Sequence, residues 1–141
     1  MLSVQPSTPK TRGTNKIAGR LRISVGTAYN RIKSLVERKI IKGYTVIVDP
    51  VKVGYGLTAV ILIQAEGKHL PDVENEVAKI DNVISVYDIT GDFDIAVVAR
   101  VKDRSGLNAF IKNLLSMPYV KRTVTNVVLN VVKEDLRIKI S

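Results

Sequence analysis

The sequence has no cysteine and a single histidine, His69. Without thiols it has no disulfide framework, no Cys-ligated zinc site and no thiol nucleophile. One imidazole cannot build a histidine-based metal cluster within one chain, so neither a metal nor a cofactor is expected. Nor does any nucleophile–base pair stand out, so the chain does not read as an enzyme. No apolar run is longer than five residues, as at Ala59–Ile63, against the roughly 20 needed to span a bilayer. Met1 to Arg12 also lacks the apolar stretch of a signal peptide. The expected location is the cytoplasm, with no membrane partner.

What the chain has in excess is positive charge, and that charge is segregated. It has 141 residues, 45% apolar and 25% charged, with a net charge of +9; this composition is globular. Residues 1–56 hold 11 Lys and Arg against 2 Asp and Glu, whereas residues 57–141 hold 11 of each. A basic front suits a polyanion, and a neutral rear suits a different task.

Hydropathy patterning divides the chain in the same place. Residues 1–13, with Pro6, Ser7, Thr8, Pro9, Thr11 and Gly13, read as a loose, breaker-rich segment. Thr14 is the expected N-cap of a short helix carrying Ile17, Ala18 and Leu21 on one side. After Arg22 and Ile23, Ser24 caps a second helix, running to about Lys39, with Ala28, Ile32, Leu35 and Val36 at helical spacing. Tyr44 to Val48 reads as a strand. The expected domains are residues 1–49, a linker at 50–56 and a second domain at 57–141.

That second domain reads as strand (57–66), helix (71–80), strand (83–90), strand (93–101), helix (106–117) and a last strand within 120–133. This β-α-β-β-α-β order is the ferredoxin-like split unit, so the fold class is α+β. Its helices cover one sheet face only. Yet apolar residues occur on both, as with Val60 and Leu62 beside Ile61 and Ile63, or Ala96 and Val98 beside Ile95 and Val97. Val127 and Leu129 beside Val128 and Val132 extend the pattern. The uncovered face would expose several hundred Å² of apolar surface, on the order that monomers avoid, and implies a sheet-on-sheet homodimer.

The front resembles a helix-turn-helix with a following wing. Short polar side chains near the start of the second helix suit base edges. Arg31, Lys33, Arg38, Lys39 and Lys42 suit phosphates, as do Arg20 and Arg22 at the turn. A solvated basic face is the alternative, weakened by the charge segregation. Tyr29 suits either a phosphate contact or packing on the wing.

Several motifs in order carry a more specific resemblance. They are Ile17-Ala18-xx-Leu21, Ser24-xx-Thr27-Ala28-xx-Arg31-Ile32-xx-Leu35, Ile40-Ile41-Lys42-Gly43-Tyr44, Asp49-Pro50 and Gly54. The rear continues with Val83-xx-Val86-Tyr87-xx-Thr90-Gly91-Asp92-Phe93-Asp94, Met117-Pro118-xx-Val120 and Thr123-x-Thr125. Over roughly residues 14–134 the chain resembles the Lrp/AsnC, or feast/famine, transcription regulators. The resemblance implies a winged helix-turn-helix for double-stranded DNA joined to an effector-binding and oligomerisation domain. It also implies homodimers that can build octamers, and a small-molecule effector, usually an amino acid. It places Ser24, Thr27, Asn30 and Arg31 on the recognition helix. Thr90, Gly91, Asp92, Phe93, Asp94, Thr123 and Thr125 fall in the effector region.

Three departures matter. Met1 to Gly13 stands where the family carries an acidic and apolar first helix, so that helix is expected to be incomplete. The alternative function is therefore a stand-alone amino-acid-sensing module with weak or no DNA binding. Phe93 replaces the family's usual tyrosine. Lys112 puts a cation on the rear domain's second helix. Residue by residue, Asp92 and Asp94 also suit ordinary turn chemistry, and Thr123 and Thr125 share a strand face. An RNA-binding split β-α-β domain is disfavoured, because the strands carry valine and isoleucine in place of stacking aromatics.

Overall fold

The computed structural model describes residues 3–4 and 11–139. It divides into two compact units, Met1–Ile47 and Val48–Ser141.

In the first unit β1 (Ser3–Val4) precedes α1 (Thr11–Leu21), α2 (Val25–Glu37) and β2 (Tyr44–Thr45). Helix α1 begins before the expected cap. Thr14 and Ala18, one helical turn apart, are both 2% exposed, so the buried stripe starts at Thr14 and the helix must already be formed there. Thr11 and Gly13 are thus helical, Gly13 at a cost of about 1 kcal/mol against alanine. Pro6, Ser7, Thr8 and Pro9 lie outside the described residues. Ile17 and Leu21, expected on the buried side, are exposed. The tight connection holds through hydrogen bonds from Arg22 N to Gly19 O and from Ile23 N to Ala18 O. The wing is shorter than expected. Its strand covers Tyr44–Thr45, which pairs antiparallel with Ser3–Val4, and Val46, Ile47 and Val48 follow it exposed and outside any described strand.

The expected linker is an ordered turn that belongs to the second unit. Asp49 Oδ1 accepts from Val51 N at 3.0 Å, Tyr55 N donates to Pro50 O, and Gly54 N to Val51 O. Gly54 supplies the positive φ of +96° that this turn requires.

The second unit runs β3 (Leu57–Ala65), a 3-10 turn (Gly67–His69), α3 (Leu70–Ala78), β4 (Val83–Asp88), β5 (Ile95–Val101), α4 (Arg104–Ser116) and β6 (Val120–Val127). The sheet order is β4-β5-β3-β6 with every neighbouring pair antiparallel, the split β-α-β arrangement. Period-two alternation sends Ala59, Ile61, Ile63, Ala65, Ile95, Val97, Ala99 and Val101 to one face. There they pack with Val73 and Val77 of α3 and Leu107, Phe110 and Leu114 of α4. Helix α4 starts two residues before the expected Gly106, because Asp103 caps it by accepting from Gly106 N at 2.8 Å.

The register identifies the other face. Leu62 lies opposite Ala96 and Val124, Val60 opposite Val98, and Tyr87 opposite Ala96. No described element of the same unit covers this row, and none of its side chains is buried. Leu129 and Val132 do not extend it. Strand β6 ends at Val127, and both residues stand at least 90% exposed beyond it.

Candidate DNA-binding helix and effector loop

Helix α2 begins at an extended Ser24, whose Oγ accepts from Thr27 N at 3.1 Å. The same hydroxyl donates to Thr27 Oγ1 at 2.7 Å. Ala28 and Ile32 are buried beneath the helix. Thr27, Asn30 and Arg31, spaced i, i+3 and i+4, are exposed and so share one outward face. Tyr29 is half-buried, which fits a packing role better than a freely presented one. Lys33 is exposed but shares its charge with Glu37, 4.0 Å away one turn on.

Arg20 and Arg22 are both exposed at the end of α1. Arg22 holds a left-handed φ of +54°, where a side chain costs on the order of 1–2 kcal/mol. Among the described residues no carboxylate lies within 4 Å of Arg20, Arg22 or Arg31. The unit therefore presents these uncompensated guanidinium groups beside a polar helix face.

In the second unit the turn between β4 and β5 is closed by Ile89 N donating to Asp94 O, with Gly91 at φ +111°. Its two aspartates differ sharply. Asp94 N donates to Ile63 O, and its Oδ2 accepts from Ala65 N at 2.9 Å. Ile63 is the last β3 residue in the β3–β5 register, opposite Ile95; Ala65, two residues on, turns its N–H to the same side, where the ladder has ended and Asp94 takes the donor up. Asp94 is thus a structural clasp. Asp92 and Thr90 are exposed, and the Asp92 carbonyl accepts from Gln64 Nε2 at 3.4 Å.

Phe93 is half-buried, with the Arg122 guanidinium 5.0 Å from its ring centroid. The resemblance singled out Thr123 and Thr125, which the strand period places on one face. These lie opposite Ile63 and Ile61 on the helix-covered face, both half-buried. Arg122 lies opposite Gln64 on the uncovered face. The loop is therefore brought together with Gln64 and Arg122, two residues that motif reading passed over. The signal lay in Arg122 being next to Thr123, but its face follows only from the register. Lys112 is exposed on α4.

A separate cleft of about 260 Å³ is lined by Asp72, Val73, Glu76, Met117, Pro118 and Tyr119, none of them in the β4–β5 turn. Beside it the rings of His69 and Tyr119 stack at 3.6 Å. Among the described residues no group of three or more His, Cys, Asp or Glu could hold a metal ion, and no helix is long and apolar enough to cross a membrane.

Residues 58–138 match the family model of the Lrp/AsnC ligand binding domain. An uncharacterized HTH-type transcriptional regulator of Pyrococcus abyssi is 46% identical, over 88% of this chain and 84% of its own length. The HTH-type transcriptional regulator FL11 of Pyrococcus horikoshii is 35% identical, over 92% and 83%. Among solved structures, a transcriptional regulator of Neisseria meningitidis in complex with L-methionine superposes with a TM-score of 0.84 at 24% identity. That match covers 89% of this chain and 84% of the other.

Proposed function

The chain belongs to the Lrp/AsnC family, and from that footing we propose that it binds double-stranded DNA through α2 and answers to a free amino acid at the β4–β5 loop. It is a transcriptional regulator, as its relatives are, and not an enzyme. The observation that carries the DNA reading is the outward face of Thr27, Asn30 and Arg31, flanked by Arg20 and Arg22. Arg20, Arg22 and Arg31 set affinity through phosphates, with Lys33 weakened by Glu37; Thr27 and Asn30 read base edges. Ser24 acts through its cap. Tyr29 steadies the helix from beneath. We place it in the cytoplasm, with the DNA it is proposed to bind.

The amino-acid reading is supported by the exposed Asp92 in a loop whose shape Asp94 maintains, and by the L-methionine complex of the Neisseria relative. Thr90, Gly91, Asp92 and Phe93 form the effector's side of the loop, while Thr123 and Thr125 support the same strand from the helix face. The uncovered sheet face, with Val60, Leu62, Tyr87, Ala96, Val98 and Val124, joins two copies face to face. Octamers assemble from such dimers. A sensing module with weak DNA binding is the second reading; the exposed Ile17 and Leu21 on α1 favour it, because they deprive the first unit of core.

Two measurements test the reading. Gel retardation of its own promoter region should weaken steeply between about 50 and 200 mM salt; no retardation at the lower value leaves only the sensing module. Thermal shift with the twenty L-amino acids should find a binder, which at 100 times its dissociation constant stabilises by roughly 2.7 kcal/mol. No shift with any of them ends the amino-acid reading.

A further inference from the structure

The effector loop presents one exposed carboxylate, Asp92. A zwitterionic amino acid also needs a cation to receive its own carboxylate. We infer that Arg122 of β6 is that cation and selects effectors that carry a free α-carboxylate. The inference rests on the β4–β5 loop being the effector site.

Four observations converge on it. Arg122 lies on the uncovered sheet face opposite Gln64, and Gln64 in turn donates to the Asp92 carbonyl, so the loop and the strand end are tied together. The guanidinium sits 5.0 Å from the Phe93 ring centroid, a cation–π distance. This seat holds the planar fork in place, so less rotamer freedom is lost when it grips a planar carboxylate with two parallel hydrogen bonds. Among the described residues, no carboxylate lies within 4 Å of Arg122. Asp92, in the loop that Asp94 holds, does not pair with it either. Two opposite charges belonging to one loop and its neighbouring strand, each without an ionic partner, form a receptor for ammonium at one end and carboxylate at the other.

Phenylalanine at position 93 also acquires a purpose here. A ring without a hydroxyl offers its face to the guanidinium and no competing acceptor at its edge. Phe93 is a positioning residue in this scheme, and Arg122 makes the contact.

The test compares each of the twenty L-amino acids with its α-amide, which keeps the ammonium and loses the carboxylate charge. Binding is read by thermal shift and calorimetry on the full chain at about pH 6, below the ordinary α-amino pKa. For the best-binding pair, the wild-type protein should prefer the acid by about tenfold or more, the usual scale for a charge-assisted contact. Arg122→Gln should bind acid and amide alike, with amide affinity unchanged. Arg122→Lys keeps the charge but not the fork, and should fall between. Arg122 is exposed on an edge strand, so both variants should melt near the wild-type temperature without effector. A full wild-type preference retained by either variant overturns the assignment of Arg122 and leaves the sensor reading standing. If no amino acid binds the wild type, the sensor reading falls and takes Arg122 with it.

Discussion

Glu74 carries an ionisation that works against the fold of the second unit. It sits half-buried on α3, and its Oε1 is closed to solvent without a hydrogen-bond partner. Burial pushes its carboxyl above the usual glutamate range, and the nearby Asp88 adds to the shift. Asp88 lies opposite Ile95 on the helix-covered side of the sheet, so both carboxylates face the same layer. With the folded value raised, the favourable contribution is complete below the unfolded glutamate pKa and is lost as pH rises through the folded one. Glu74→Gln should therefore resist urea better than wild type near neutral pH, and the two should converge as pH falls to about 4. Urea midpoints at the two pH values, taken as a difference between the proteins, separate this group from the other carboxylates. A gap that stays the same at both would sink the argument. Asp94, by its hydrogen bond from the Ala65 N–H, holds the shape of the loop.

At the scale of elements, α2 depends on its first turn. Ser24 satisfies the Thr27 N–H that the helix leaves open, so Ser24→Ala should cost the first unit about 1 kcal/mol. Ser24→Asp keeps a capping oxygen and adds a favourable charge at the helix N-terminus, yet places that charge beside the phosphates. It should hold thermal stability and weaken DNA retention, while alanine lowers stability. Equal DNA binding by the aspartate variant would remove the start of α2 from the interface. The elements of the second unit were legible in the sequence because period two and period 3.6 are cleanly written there, as Ala59, Ile61 and Ile63 or Leu107, Phe110 and Leu114 illustrate. The first unit was harder to read. Thr11 and Gly13 look like breakers, and only the burial of Thr14 shows why they are helical. The wing's partner, Ser3–Val4, is separated from Tyr44–Thr45 by two helices, and no local pattern announces a pairing of that span. For the candidate site, Gly91-Asp92 marked the loop, but the pairing of Ile63 with Thr123 decides which neighbours face which side. That register made Arg122 visible and moved Thr123 and Thr125 to the helix face.

At the scale of the molecule, the segregated charge and the uncovered sheet are two parts of one arrangement. A balanced second unit lets two copies approach without net repulsion. In the proposed face-to-face dimer a basic first unit, carried twice, would double the phosphate contacts on one DNA molecule, and linkage would turn the second contact into an intramolecular event. Leu62 tests this because it lies between Ala96 and Val124 at the middle of the uncovered face. It is only half-buried within one copy, so Leu62→Asp should leave the fold intact. In a face-to-face dimer the same substitution buries an unpaired carboxylate, a penalty of several kcal/mol per ion, enough to separate the copies at micromolar concentration. Sedimentation should then report a monomer where wild type reports a dimer or larger. DNA retention should weaken, and the slope of log affinity against log salt should fall to about half, since that slope counts the phosphates neutralised by one bound particle. A wild-type protein that sediments as a monomer would refute the interface. A monomeric Leu62→Asp with unchanged affinity and slope would show instead that one basic unit suffices, and that the paired sheets serve the effector alone.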